Sequence, residues 1–477
     1  MPVKPSVKPA KTKLDPVGVM TAVMEETPEL ASPLLERGII QQADDGSIDI
    51  SGTTETIHAI GDYVTNFTPA ANAFVNALIN RIAFVTISSK MYTNQWAVFK
   101  KGRLGFGETV EEIFVNLAKP YQFSPSTAEQ EVFKRHIPDV RAAFHTMNFQ
   151  KYYPVTVADD QLRQAFLSWQ GVTDLIARIV ESVFAAAQTD EYLVLKYMLA
   201  RAILNGDITP VVVPAMSKEN ASDIATVFNE TSMNLEYQSN AFNIAGVTTH
   251  TPQDEQYLIT TTKFRSVMNM NVLAAAFNMD KAELMGHVIN VDSFVNMDWA
   301  RLDLLFTDEN GEKDPSYNHW TEGEKTTLEG IPAVMTSVDF WQVWDNFEKM
   351  TENYNGRGLY WNYNYHVWKT FSISPFAQAA VYTVTAGSVT GVTVSPTAAT
   401  LPPGADIELA ASVSRKGVVS KAVDWSIKGN QSSGTYVTDA GKVHIAKDEK
   451  ATSVEVTAAS IADPEMFGKC TVTVNKG

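Results

Sequence analysis

The side chains that carry most enzyme chemistry are present in this chain, but not in the spacings that such chemistry needs. His58, His136, His145, His250, His287, His319, His366 and His444 include no H-E-x-x-H and no paired-ligand spacing, so no imidazole pair is set on one helix face to hold zinc. Neither a G-x-S-x-G elbow nor a G-x-x-x-x-G-K-[ST] loop occurs, which removes the strained serine turn and the phosphate cradle. Gly102-Arg-Leu-Gly-Phe-Gly has the wrong spacing for a dinucleotide fingerprint, and its glycines read as turn residues. Asp308-Glu-Asn-Gly-Glu-Lys-Asp has the acidity of a calcium loop, yet its glycine stands fourth where such a loop needs it sixth. Neighbouring carboxylates such as Glu111 with Glu112, or Asp159 with Asp160, point apart on a strand or helix. No enzyme activity, metal or cofactor is expected.

One aromatic run has the composition of a sugar-stacking platform: Tyr360-Trp361-Asn362-Tyr363-Asn364-Tyr365-His366-Val367-Trp368. Strand alternation puts Trp361, Tyr363, Tyr365 and Val367 on one face and Tyr360, Asn362, Asn364 and His366 on the other. The first face suits a core and the second an interface.

The most informative stretch is Phe99 to Phe114, FKKGRLGFGETVEEIF. It reads as a protruding hairpin, with Gly102, Gly105 and Gly107 reversing the chain and Lys100, Lys101 and Arg103 facing Glu108, Glu111 and Glu112. Trp96, Val98, Val110 and Ile113 supply apolar side chains on either side. A two-stranded arm is marginal alone in water, so these residues are candidate contacts with a neighbouring subunit.

Several elements must carry that arm. Ala73 to Ile87 has helical apolar spacing, and a long helix is predicted after Pro154, capped by Asp159 or Asp160 and stopped by Asn205-Gly206-Asp207. Gly171 is a candidate break. Thr173 to Leu204 alone spans about 45 Å, too long for a small compact domain. Between Thr209 and Asn355 strands and helices alternate irregularly, with a helix over Asn271 to Met285. The first sixty residues, proline-studded and then polar, read as an arm whose Lys4, Lys8, Lys11 and Lys13 lie on a solvated tail.

The last ninety residues change character. Six short alternating segments begin at Val392, Ile407, Val423, Gly441, Val454 and Cys470, at the spacing of an all-β sandwich with Trp425 as its core anchor. The single cysteine, Cys470, excludes an internal disulfide. Net charge is −16, and residues 388–477 hold nine basic and nine acidic side chains, leaving the rest with 29 basic against 45 acidic. So acidic a body does not suit a dedicated nucleic-acid binder, because phosphate neutralisation drives that affinity. It does suit a container whose wall must not stick to DNA. No run approaches the roughly 20 apolar residues of a membrane helix, and no export signal is seen.

Five ordered blocks carry a resemblance: the arm, EVFKRHIPDVRAAFH (Glu131 to His145), AFLSW (Ala165 to Trp169), AFNM (Ala276 to Met279) and RGLYWNYNYHVW (Arg357 to Trp368). Together they resemble the major capsid protein of phi-twenty-nine-like podophages, from about Ala73 to the C-terminus. The resemblance implies the α+β tailed-phage capsid fold named after phage Hong Kong ninety-seven, with an N-terminal arm (1–60), an extended loop and peripheral-domain spine helix (61–208), and an axial domain with return strands (209–387). Residues 388–477 resemble the bacterial immunoglobulin-like group-two (BIG2) domain. The function implied is self-assembly, as hexamers and pentamers, into an icosahedral head around double-stranded DNA without sequence-specific binding. A scaffolding protein, a portal, assembly in the host bacterial cytoplasm and residence in the virion follow from the same resemblance. On this view the outer module reinforces capsomer contacts or mediates weak surface attachment, and the alternative is a surface carbohydrate-binding protein using that module. Because the module's strand pattern closes on itself, a chain ending near Thr385 is expected still to form shells, as judged by electron micrographs of the fast-sedimenting fraction.

Overall fold

Met1–Gln95, Asn148–Tyr192 and Asp345–Lys369 fold as one unit, and Trp96–Met147, Leu193–Trp344 and Thr370–Gly477 as a second. The computed structural model describes residues 16–43, 46–66, 94–105, 109–118, 120, 140–158, 160, 164–167, 169–217, 219–268 and 287–475. The candidate helices at Ala73 to Ile87 and Asn271 to Met285 lie outside the described residues.

In the first unit the expected N-terminal arm is, from Pro16 on, a packed element. Helices α1 (Pro16–Glu26) and α2 (Pro28–Glu36), the short pair β1 (Gln41–Gln42) and β2 (Ile48–Asp49), and α3 (Thr54–Asn66) follow in order. Pro28 sits in the first turn of α2, where its missing N–H costs nothing. Of the prolines that suggested an arm, Pro16 and Pro28 start helices and Pro33 lies inside α2, and Met20, Val23, Met24, Leu30, Leu34, Ile57, Ile60 and Val64 form one core with Val157, Phe166, Trp361 and Tyr363. Gly61 lets α3 approach Phe166: a Cβ there would stand 2.3 Å from the Phe166 Cβ.

Strand β6 (Phe149–Ala158) pairs antiparallel with β12 (Tyr360–Ile373), from Tyr360 opposite Ala158 to Lys369 opposite Phe149. The expected helix therefore begins beyond β6, and of its two candidate caps Asp159 lies outside the described residues while Asp160 is itself helical. Pro154 lies within β6, the edge of the sheet ordered β3–β11–β12–β6, where a missing donor is tolerated. Strands β3 (Lys100–Arg103) and β11 (Trp341–Asn355) complete that sheet. Helix α4 runs unbroken through Gly171 from Trp169 to Asn205, 37 residues or about 55 Å, and Gly206 ends it in the left-handed region at φ 71°.

The first unit is tied together by a buried charge. Lys369 Nζ donates to Glu191 Oε2 at 2.5 Å and to Asp345 Oδ1 at 2.6 Å, while Asn94 Nδ2 donates to Glu191 Oε1 at 2.9 Å. These contacts join α4, β11 and β12. Burial alone lowers the Lys369 pKa, but Glu191 and Asp345 outweigh it and hold the ammonium above its ordinary 10.5.

In the second unit a five-stranded sheet runs in the order β7 (Thr209–Val212), β13 (Ala379–Thr383), β10 (Ala333–Ser337), β8 (Gln256–Thr261), β9 (Val288–Val291). Its central strands are antiparallel and both edge strands are parallel to their neighbours. Helix α5 (Ala221–Glu236) lays Ile224, Ala225, Phe228 and Leu235 against Leu258, Met335 and Tyr382. Shorter helices α6 (Thr262–Val267), α7 (Trp299–Leu305) and α8 (Glu322–Glu329) follow, the last opened by a Thr321–Glu324 capping box.

Residues 388–475 hold nine strands: β14 (Ser388–Ser395) with β17 (Ala410–Lys416); β15 (Ala398–Leu401), β22 (Phe467–Val474), β21 (Ser453–Ser460) and β18 (Val423–Lys428) in one sheet; and β16 (Asp406–Glu408), β20 (Lys442–His444) and β19 (Tyr436–Val437) in another. Val392, Leu409, Trp425, Val443, Val456, Cys470 and Val472 share its core. Glu449 staples a loop there, accepting from Gln431 N, Ser432 N, Thr435 Oγ1 and Ala451 N. Despite its burial, these donors lower its carboxyl pKa to about 2.

Lys369→Ala strands buried carboxylates without their cation, and is expected to destabilise the chain by about 3–5 kcal/mol, read in calorimetry. Because the folded pKa of Lys369 lies above its unfolded value, its contribution is complete below pH 10.5 and is lost as pH rises through the folded value. A pH series should therefore show this contribution eroding on the alkaline side, and a Lys369→Ala chain lacking that step.

Candidate assembly surface

The residues from Phe99 to Phe114 do not form one hairpin. Strand β3 borders β11, whereas β4 (Val110–Val115) pairs antiparallel with β5 (Val140–His145), in register from Val110 opposite His145 to Val115 opposite Val140. The physical reason lies in the partners on offer. β3 is the four-residue KKGR without apolar alternation, and VRAAFH supplies a strand of matching length and alternation for β4.

The expected charge pairing across the arm changes accordingly. Lys101 pairs with Asp339. Lys100 is half-buried and Arg103 exposed on β3, Gly102 is exposed at φ 130°, a value that favours glycine, and Gly105 is exposed. Gly107 and Glu108 lie outside the described residues. Glu111 is exposed on β4, while Glu112 faces inward. Trp96 belongs to the interior: it is fully buried, its ring 5.2 Å from Trp341, with Phe99 stacked on Trp341 at 4.7 Å.

The β4–β5 ribbon has two different faces. Inward, Phe114 stacks on Phe376 at 5.7 Å, and His145 links two polar groups. His145 Nε2 lies 3.1 Å from Glu112 Oε2, and Nδ1 lies 2.8 Å from Ser372 Oγ. With Glu112 ionised, Nε2–H donates to it and Nδ1 accepts the Ser372 hydroxyl proton. Ser374 Oγ donates to the other Glu112 oxygen at 2.8 Å. The order serine, histidine, carboxylate is that of a nucleophile relay, but His145 is 2% exposed and Glu112 is shared with a second serine. The network pins the ribbon to the end of β12 and the residues after it.

Outward, the ribbon shows Ile113, Val115, Leu117, Val140 and Phe144, all more than half exposed, with Glu111 and Ala142 beside them. Alternation makes this one continuous strip, because opposed residues of an antiparallel pair share a face. Fully burying such a side chain gains about 1.5–3 kcal/mol, a gain that the strip forgoes within the single chain. Sequence reasoning found β4 but missed β5, whose alternating Val140, Ala142 and Phe144 were the available signal.

The aromatic run is a strand whose Trp361, Tyr363 and Val367 are buried. Half of it is thus unavailable as a stacking platform. Trp425 is buried among the strands of 388–475.

Residues 49–383 match the family described as Phi29-like phage major capsid protein. The chain belongs to this family. It is 31% identical over 399 residues to the major capsid protein of Bacillus phage GA-1, covering 81% of this chain and 77% of that one. The major capsid protein of Bacillus phage B103 is 31% identical over 402 residues, covering 83% and 82%. The capsid structure of Staphylococcus phage Andhra aligns at a TM-score of 0.49 with 18% identity, over 62% of this chain and 86% of that one. As a phage major capsid protein the chain is a structural component of the virion shell, and its working form is an oligomeric assembly. The family match begins at Asp49, before the Ala73 expected from the motif blocks, and ends at Thr383, short of β14.

His145→Ala leaves Glu112 and Ser372 without their shared partner, and is expected to cost about 1–3 kcal/mol. A fall in the first thermal transition would show it, and an unchanged transition would mean that the network contributes nothing.

Proposed function

We propose that this capsid protein builds an icosahedral head of hexamers and pentamers around double-stranded DNA, in which the outer face of β4–β5 packs on an adjacent copy. The observation that carries the reading is the exposed strip Ile113, Val115, Leu117, Val140 and Phe144 on a ribbon whose other face is already satisfied. Five such side chains, at about 1.5–3 kcal/mol each, supply a gross gain of the size that association entropy demands. Lys100, Lys101, Arg103, Glu108 and Glu111 are the charged groups we assign to the rim of that contact, where charge sets register more than affinity. Glu112, as an inner-face group, acts by holding the ribbon.

The tailed-phage coat fold, with residues 1–60, 61–208 and 209–387 as its successive parts and 388–477 as an immunoglobulin-like BIG2 module on the outer surface, is the architecture in which this contact makes sense. We assign the module to reinforcing capsomer contacts or to weak surface attachment. Assembly in the host bacterial cytoplasm with a scaffolding protein and a portal completes the proposal. The acidic body, 29 basic against 45 acidic residues before Ser388, supports a wall that encloses DNA without adhering to it.

The test is sedimentation velocity with micrographs of the fast fraction. The native chain is expected to give shells or capsomer-sized species. Ile113→Asp with Phe144→Asp is expected to shift it to subunits with an unchanged thermal transition, since both side chains are exposed within the chain. Undiminished assembly by that variant would remove the ribbon from the interface, and polysaccharide binding by a strict monomer would favour the carbohydrate-binding alternative.

A further inference from the structure

The residues after Ser388 close into strands of their own but also hold two other parts of the second unit, so a chain ending near Thr385 keeps the His145 anchor of the ribbon and its apolar strip and loses a second anchor. The first is the end of α4. Arg415 Nη1 donates to the Leu204 carbonyl at 2.6 Å, Lys421 N donates to Gly206 O at 3.2 Å, and the Lys421 ammonium pairs with Asp207. Leu204 O is one of the carbonyls that a helix leaves without an internal partner, and a cation is favoured at that pole. The fit is close, since a Cβ on Gly206 would stand 2.4 Å from Val419 O.

The second is the ribbon. Arg141 of β5 reaches inward, gives one nitrogen to the Ala245 carbonyl and places Nη2 2.9 Å from Asp439 Oδ2, in the turn between β19 and β20. Arg141 is 8% exposed and Asp439 half exposed, so the ribbon contributes the buried partner and the module the accessible one. Ribbon, helix end and module surround a cleft of about 880 Å³ whose walls include Arg141, Asp439, Arg415 and Lys421. They are joined across it by these few directed contacts.

We infer that the C-terminal module is an internal clamp: seated on the end of α4 through Arg415 and Lys421, it reaches across to Arg141 through Asp439 and sets the position of the β4–β5 ribbon. The His145 network holds the ribbon at its Val110–His145 end, and the clamp holds it from the Arg141 side. Of these two anchors only the clamp belongs to the appended strands. The inference goes beyond shell assembly, because it concerns contacts inside one chain and stands whether or not the outer strip meets a neighbouring copy.

Hydrogen exchange followed by mass spectrometry on the full-length chain, before assembly, tests it. Asp439→Ala is expected to speed exchange across Val110–Val115 and Val140–His145 by about 3- to 10-fold, leaving β14–β22 unchanged. Arg415→Met with Lys421→Met loosens the seat, and is expected to speed the same ribbon segments together with the last turn of α4. Ribbon exchange that matches the native chain in both variants overturns the clamp, as does a rise confined to the module's own strands.

Discussion

Two hydrogen-bonded strands cannot hold their shape in water by their own ladder, and β4–β5 is such a pair. Everything about this ribbon follows from how its two faces are served. The inner face spends its polar groups on the chain itself, through His145, Glu112, Ser372 and Ser374, with Phe114 against Phe376. The outer face keeps its apolar side chains in solvent. The isolated chain gains nothing from that face, and on the reading proposed above an assembled copy would gain association energy there.

The same economy appears in the buried ions. Lys369 is acceptable inside the first unit only because Glu191 and Asp345 both reach it, and the penalty for an unpaired charge at that depth makes the three groups interdependent. Their mutual requirement fixes β11, β12 and α4 to one another at one register. The Glu449 staple follows the same logic on a loop, where one carboxylate oxygen pair collects four donors.

A shell protein must combine firm subunits with surfaces that are incomplete until they meet. Here firmness comes from wide apolar cores and a few buried charges, and incompleteness from a narrow strip on a ribbon. Placing the proposed contact on two strands keeps the exposed apolar surface small, and a net charge of −16 opposes non-specific association.

The sequence by itself determined the class of the answer: no catalytic spacing, a long helix ending at Gly206, alternating strands after Ser388, and five ordered blocks that resemble one coat-protein family. These are local properties, written in residue type and period, and they survive without knowledge of partners. Strand pairing is not local. The glycine-rich arm offered β4 a neighbour four residues long, and only the tertiary structure could show that it pairs instead with Val140–His145, some thirty residues on. Likewise the proline-studded start of the chain suggested an arm until the helices opened by Pro16 and Pro28 met Trp361 and Tyr363 from the far end of the chain. The clamp from Asp439 to Arg141 spans 298 residues. Side chains that distant acquire meaning only when the fold brings them within a hydrogen bond's reach, and no period in the sequence records it.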